Sequence, residues 1–149
     1  MDNFETISNL MERCIHKYMQ TENRKRHYGT DSLFSRAEIH TIAAIGDMPN
    51  SNLTSLAKFL GITKGAASQM VYKLVDKGAI KKEISPNSDT EICLTLTEMG
   101  KKAYASHQRF HENANERFFN TLRDTPEEIQ KYMIYILEEF DHAMDEHRE

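Results

Sequence analysis

Two histidines one helical turn apart are the residues whose spacing most directly suggests chemistry. His107 and His111 lie at positions i and i+4 of a segment predicted to be helical, so both imidazoles project from one face, about 6 Å apart. That separation suits two ligands of one metal ion, although such a pair is more often a solvated surface feature. Gln108 follows His107, so the segment lacks the HExxH glutamate that serves a zinc protease as general base. The pair is therefore a candidate metal site without a candidate reaction.

The rest of the sequence gives no support to an enzyme. Its 149 residues suffice for one domain, and no glycine-rich phosphate loop is present. Cys14 and Cys93 lie far apart without a CxxC partner, which indicates buried thiols in a reducing compartment. No apolar run approaches the roughly 20 residues of a membrane helix, and the amino terminus lacks the pattern of a signal peptide. We therefore expect a cytoplasmic protein with no catalytic residues and no membrane partner.

A second set of residues has the pattern of a helix that reads DNA. The segment from Thr63, a predicted N-cap, to about Lys77 is predicted to be helical and to end at Gly78. Its apolar residues at positions 67, 70, 71 and 74 share one face. On the opposite face Gln69 can pair with adenine, and Ser68 can bond to a base edge or a phosphate. The residues predicted to contact DNA are Lys64, Gly65, Ala66, Ser68, Gln69, Tyr72 and Lys73 of this helix, with Lys81, Lys82, Asn87 and Ser88 of the hairpin described next.

The neighbouring elements complete a winged helix-turn-helix. A short apolar segment with Thr54 as its predicted N-cap ends at Gly61, in the position of a left-handed C-cap. Because one tight turn joins it to the helix at Thr63, the two form a helix-turn-helix. Apolar and polar residues then alternate over 80–84 and 92–96 around a turn at 86–89, which predicts a hairpin, or wing.

Longer helices flank this unit. The first is predicted from Phe4 to about residue 27, and the second starts at Ser35, which forms a capping box with Glu38. A third extends from Thr97 to about residue 121. The fourth begins near Pro126, read as its first helical residue. Its large apolar side chains exceed what a small monomer hides easily, which indicates two-fold pairing of chains.

The charge distribution favours a polyanionic partner for the middle of the chain. The net charge is −4, but residues 53–82 carry six lysines against one acid, Asp76. From Thr125 onward the chain contains eight acidic residues and only two basic ones, Lys131 and Arg148. A local basic face is compatible with a phosphate backbone despite the overall sign.

Residues 53–104 contain a characteristic series of residues: Leu53, Thr54, Leu56, Ala57, Leu60, Gly61, Ile62 and Thr63, then Ser68, Leu74, Lys77, Gly78 and Ile80, then Asp89, and finally Leu96, Thr97 and Gly100. This series resembles the MarR family of winged-helix transcription regulators. It implies a mainly α fold with a small β-wing, in a single domain over 1–149. Residues 1–30 and 105–149 would form the dimerisation helices and 34–104 the winged lobe. One departure is Glu91, which stands where the family has a wing arginine.

The sequence also resembles the zinc-responsive repressors of that family. In that branch a glutamate near the end of helix 1, a histidine of helix 2 and an HxxxH pair bind one zinc ion. The matching residues here are Glu22, His40, His107 and His111. Three imidazoles and one carboxylate would complete a closed tetrahedral site. The branch's auxiliary site falls on Tyr28, Ile39 and Ser106, which are poor ligands, so we expect one zinc per subunit.

The sequence thus favours a homodimeric repressor that binds an operator in double-stranded DNA and responds to zinc. Two alternatives stay open. The effector could be a small organic anion or a phenol bound between the frame and the lobe, as the wider family often uses. The chain could also be a helical interaction module without DNA binding, given Glu91 and the negative net charge.

Overall fold

The computed structural model describes residues 2–146, without the side chain of Ala114. Met1 and residues 147–149, the ends of the two predicted dimerisation segments, lie outside the described residues. Within that range the chain forms α1 (Asn3–Glu22), α2 (Arg36–Asp47), α3 (Leu53–Leu60), α4 (Lys64–Asp76), β1 (Ile80–Ile84), β2 (Ile92–Leu96), α5 (Glu98–Arg123) and α6 (Glu127–Glu146). This order confirms the prediction of a mainly helical winged helix-turn-helix fold.

Local capping interactions set the bounds of α2, α3 and α4. The Ser35 hydroxyl accepts from the Glu38 amide while the Glu38 carboxylate accepts from the Ser35 amide, as the sequence predicts for a capping box. Thr63 caps α4, and Gly61 ends α3 in the left-handed conformation, with φ of 64°. The predicted cap of α3 is wrong: Asn52, not Thr54, accepts from the Ser55 amide through its side chain.

The first helix is shorter than predicted. It ends at Glu22 instead of continuing to about residue 27. Arg26 and Phe34 exchange two backbone hydrogen bonds, of 3.1 and 2.9 Å, and so form an antiparallel bridge. Phe34 is fully buried, so its packing holds this bridge and turns the chain away from the helical path.

The start of the last helix also differs by one residue. Pro126 precedes α6 instead of occupying its first turn, and its carbonyl accepts from the Gln130 amide. The Gln130 side chain donates to the carbonyls of Leu122 and Thr125, so one residue satisfies acceptors left open near the end of α5.

The chain divides into two compact units, Met1–Arg109 and Phe110–Glu149, with the boundary inside the unbroken helix α5. In the first unit, β1 and β2 pair antiparallel, with Ile80 opposite Leu96 and Ile84 opposite Ile92. The hydrophobic core of this unit fixes α4 and the wing on α2, α3 and the start of α5. Its members include Phe34, Ile39, Ile42, Ile45, Leu56, Val71, Leu74, Ile80, Leu94 and Ala103.

Long apolar side chains are left uncovered in both units. In the second unit no described residue of α6 is buried, and in α1 the one buried residue is Glu22. None of the helices in the described part of the chain combines the length and apolar character needed to cross a membrane. The exposed apolar side chains of these helices are Phe4, Ile7, Leu10, Ile15, Tyr18 and Met19 of α1, and Ile129, Tyr132, Ile134, Tyr135, Ile136, Leu137 and Met144 of α6.

Candidate nucleic-acid interface and metal cluster

Helix α4 separates its apolar and polar residues as its sequence predicts. Ala67, Val71 and Leu74 are buried, and Met70 packs against the same core. The residues predicted to face DNA form the outer side of the helix. Lys64, Gly65, Ala66, Gln69, Tyr72 and Lys73 are exposed, whereas Ser68 is half-buried.

The wing continues this outer surface. Lys81, Lys82 and Asn87 are exposed and Ser88 is half-buried. The Lys82 ammonium lies 4.3 Å from the centroid of the Tyr72 ring, a cation–π contact that joins β1 to α4. Lys81 forms an ion pair with Glu83 of the same strand. Of the two wing lysines, Lys82 is therefore the one held beside α4.

Four potential metal ligands lie together beside α2. Glu22 is the last residue of α1, His40 lies on α2, and His107 and His111 occupy successive turns of α5. One ligand atom from each of the four lies within 4.8 Å of the others. Glu22 and His107 are buried, whereas His40 and His111 are half-buried. In residues 2–146 this is the one cluster of three or more such side chains.

Three of these side chains lie close to one another, and Tyr28 packs beside them. The Nε2 atom of His40 lies 3.0 Å from Oε2 of Glu22, and the rings of His40 and His107 lie 5.4 Å apart. Tyr28 places its ring edge-on to His107, with centroids 5.5 Å apart. Burial is the main cause that raises the pKa of the Tyr28 phenol, and the negative charge of the Glu22 carboxylate raises it further. Tyr28 therefore packs its ring against the cluster and offers no anionic ligand near neutral pH.

The donor set fits a zinc ion. Zinc accepts three imidazole nitrogens and one carboxylate oxygen in a closed tetrahedron, with bonds of about 2.0–2.2 Å. Donors at those bond lengths lie about 3.3 Å apart, so the cluster needs a modest contraction of its widest pair. The 3.0 Å contact between Glu22 and His40 is about 0.3 Å shorter than that separation, so this pair needs only a small adjustment.

Arg36 is a neighbour of the cluster that sequence reasoning missed. Its Nε atom lies 4.0 Å from Oε2 of Glu22, and it precedes His40 by four residues on α2. The i, i+4 spacing places both side chains on one helix face, so this signal was present in the sequence. Arg36 balances the charge of the Glu22 carboxylate, whose side chain is 5% exposed.

A second ion pair ties α2 to the C-terminal end of α4. The Lys77 ammonium donates to the Glu38 carboxylate at 2.8 Å and to the Leu33 carbonyl at 2.8 Å. Desolvation opposes ionisation of Glu38, but hydrogen bonds from Lys77 and Ser35 and the charge of Lys77 outweigh it. The pKa of this carboxyl is consequently lowered from its ordinary value of 4.5.

This ion pair predicts a loss of stability in acid. Because the folded-state pKa of Glu38 is lowered, its contribution is fully present above about pH 4.5 and lost as the pH falls through the folded-state value. In Glu38→Gln a glutamine can still complete the capping box. We expect this variant to lose about 1–2 kcal/mol in the free energy of unfolding at pH 7, and less at pH 3. Urea denaturation at both pH values measures this, and an equal loss at both would contradict the assignment.

Comparisons with known proteins agree with this fold. Residues 34–92 match the family model described as MarR family. The chain is 31% identical over 121 residues to the uncharacterized HTH-type transcriptional regulator YhjH of Bacillus subtilis, covering 79% of this chain and 69% of that protein.

Solved structures show the same architecture. Streptococcus pneumoniae FabT in complex with DNA superposes with a TM-score of 0.74 at 23% identity, covering 98% of this chain and 100% of that one. Lactococcus lactis ZitR in complex with DNA gives 0.70 at 18% identity, over 92% and 97% of the two chains, and ZitR is described as a zinc-responsive MarR family member.

The winged lobe, the family match and the similarity to YhjH lead to one conclusion. The chain belongs to the MarR family, whose members are transcriptional regulators and not enzymes.

Proposed function

We propose that the protein is a homodimeric repressor in the cytoplasm that binds operator DNA through α4 and the wing, with zinc as its effector. The observation that carries the DNA-binding part is the outer face of α4, where small and polar residues surround Gln69 while the apolar residues pack inside. A major groove admits a helix of this kind. The DNA complexes of FabT and ZitR support the same role for this fold.

The uncovered apolar side chains of α1 and α6 support the homodimer. Monomeric proteins rarely expose so many large apolar residues on adjacent turns, and closed two-fold pairing is the commonest way to bury them. Paired chains would present two α4 helices to half-sites about 34 Å apart. In this arrangement residues 1–30 and 105–149 serve dimerisation and 34–104 the DNA-binding lobe.

The four-residue cluster supports zinc as the effector. Glu22, His40, His107 and His111 would hold the ion, which would supply a cross-link between the end of α1, α2 and α5. Helix α2 packs against the core side of α4, so a fixed α2 favours one orientation of the recognition helix. An ion that prefers this orientation raises operator affinity.

The affinity for a DNA duplex, measured at increasing salt concentration, tests the DNA-binding part of the proposal. The probe is the tightest duplex selected from a random library of about 30 base pairs, three helical turns. We expect Gln69→Ala to weaken binding about 10- to 100-fold with an unchanged salt slope. Lys73→Met should reduce the slope by about 1 for each subunit. Lys131→Met, which removes an equal charge from α6, is the control and should change neither.

Two results would contradict this assignment. Affinity for the duplex that does not fall with salt would exclude phosphate contacts, and the chain would then be an interaction module. Equal effects of Lys73→Met and Lys131→Met would place the DNA elsewhere on the surface.

A cavity supports a second candidate effector, a small organic anion. A cavity of about 380 Å³ lies in the first unit between α2, the wing and the start of α5. Ile45, Leu94 and Leu96 line it, together with Lys81 and Lys101, whose ammonium groups are paired with Glu83 and Glu98. This volume is within the range of small-molecule sites.

The same duplex assay separates the two effectors. If zinc is the effector, removal of metal with a chelator should lower duplex affinity about tenfold and added zinc should restore it. A metal-free protein with undiminished affinity would favour the organic anion.

A further inference from the structure

The base of the wing is fastened to the loop that precedes α3. The Leu94 amide of β2 donates to the Ser51 carbonyl at 2.8 Å. Next to it, the Asn52 side-chain amide donates to the Glu91 carboxylate at 2.5 Å. Glu91 also closes the wing loop, because its carbonyl accepts from the Ser85 amide at 2.7 Å. Two successive residues of the loop thus hold the second wing strand.

The two polar side-chain atoms of Asn52, Oδ1 and Nδ2, have different partners. Its Oδ1 atom accepts from the Ser55 amide at 2.9 Å and so caps α3, which leaves the Nδ2 group for Glu91. The carboxylate therefore lies near the amino terminus of α3, where the helix dipole favours negative charge. One asparagine connects the first helix of the helix-turn-helix to the wing.

This contact gives Glu91 a role that its charge alone does not suggest. A carboxylate on a DNA-binding wing repels phosphates, and the resemblance to the MarR family leads one to expect an arginine there. The carboxylate is instead engaged by Asn52, while Lys82 lies over Tyr72 of α4. The wing is thus attached to both helices of the helix-turn-helix.

We propose that Glu91 is a positioning residue that holds the wing on the N-cap of α3, so that wing and recognition helix meet a duplex as one preset surface. The effect on DNA affinity rests on the proposed function. The attachment itself does not, because it is a contact between two side chains of one chain.

Exchanging the amide of Asn52 and the carboxylate of Glu91 between the two positions tests this proposal. Asn52→Asp keeps a good N-cap, but it removes the side-chain amide that donates to Glu91 and places a second carboxylate next to that of Glu91. Adding Glu91→Gln restores the hydrogen bond in the opposite direction, because the new amide at position 91 can donate to the new carboxylate at position 52. The double variant also has the net charge of the natural protein. The first readout is amide hydrogen exchange at Ser85 and Leu94 in the full chain without DNA, and the second is affinity for the selected duplex.

We expect Asn52→Asp to speed exchange at these amides about tenfold and to weaken duplex binding about fivefold. The double variant should return both values to within about twofold of the natural protein. Thr90→Asp adds the same charge to the wing loop at a residue whose amide bonds to Ser88, and it leaves both Asn52 and Glu91 in place. It should weaken duplex binding in a salt-dependent way and leave the exchange rates unchanged.

Unchanged exchange in Asn52→Asp, or failure of the double variant to restore it, would overturn the proposal. If no variant and no natural protein bound any duplex, the proposed function would fail, and the exchange rates would still decide whether Glu91 holds the wing.

Discussion

Replacing His107 with alanine is expected to weaken zinc binding at least about 100-fold. Loss of a residue behind a ligand typically costs 10- to 100-fold in metal affinity, and His107 is itself in the cluster, with 8% of its surface exposed. The remaining Glu22, His40 and His111 would leave an incomplete tetrahedron. Competition against a chromophoric chelator measures the affinity, with a stoichiometry of one zinc ion per chain.

Two further variants keep this prediction decisive. Because His107 is buried, alanine there leaves a cavity and lowers stability as well. His111→Ala changes a half-buried residue on the same helix, and alanine is the best helix former, so it should lose zinc affinity without losing fold. His16→Ala removes an exposed histidine of α1 that bonds to Gln20 and should bind zinc normally. Equal zinc affinity in His111→Ala and His16→Ala would exclude the cluster as the zinc site.

Local signals explain why the winged lobe could be predicted so closely. The Ser35–Glu38 capping box, Gly61 and Thr63 each act within four residues, and each behaves as its sequence predicts. The cap of α3 shows the limit of this reasoning. Both Asn52 and Thr54 are good caps, and Asn52, which caps α3, also donates to Glu91, which lies 39 residues away in the sequence.

Long-range packing also decides where α1 ends. Nothing within the sequence after Glu22 stops a helix until Gly29, so periodicity predicts a longer one. The bridge between Arg26 and Phe34 forms because Phe34 enters the core of the first unit. That early end matters for the cluster, because it makes Glu22 the last residue of α1.

The metal cluster was predicted in two different ways. The spacing of His107 and His111 indicated a pair of ligands from the helix period alone. Glu22 and His40 came only from the resemblance to the zinc-responsive branch, because contacts between helices leave no periodic trace. The spacing of Arg36, four residues before His40, predicts that the two side chains share one helix face. Its ion pair with Glu22 could not be predicted, because that contact depends on how α1 packs against α2.

Gly100→Ala is expected to lower the free energy of unfolding by about 3 kcal/mol or more, or to prevent folding. A Cβ atom at this position would lie 2.0 Å from the Ala79 carbonyl oxygen and 3.3 Å from the Leu96 Cβ atom. The Ala79 oxygen cannot retreat freely, because it accepts from the Thr97 amide at 3.1 Å and Ala79 is fully buried. Helix α5 therefore approaches the chain before β1 as closely as a residue without a side chain allows.

The matched control is Gly65→Ala in the first turn of α4. A Cβ atom there would meet nothing closer than the Thr63 hydroxyl, at 4.0 Å. Alanine should therefore stabilise α4, by about 0.5–1 kcal/mol. Urea unfolding of both variants at one protein concentration compares them, since the stability of a dimer depends on concentration. Opposite signs for the same chemical change would show that contact with Ala79, and not helix propensity, requires glycine at position 100. A Gly100→Ala protein that unfolds at the urea concentration of the natural protein would contradict this close approach of α5 to Ala79.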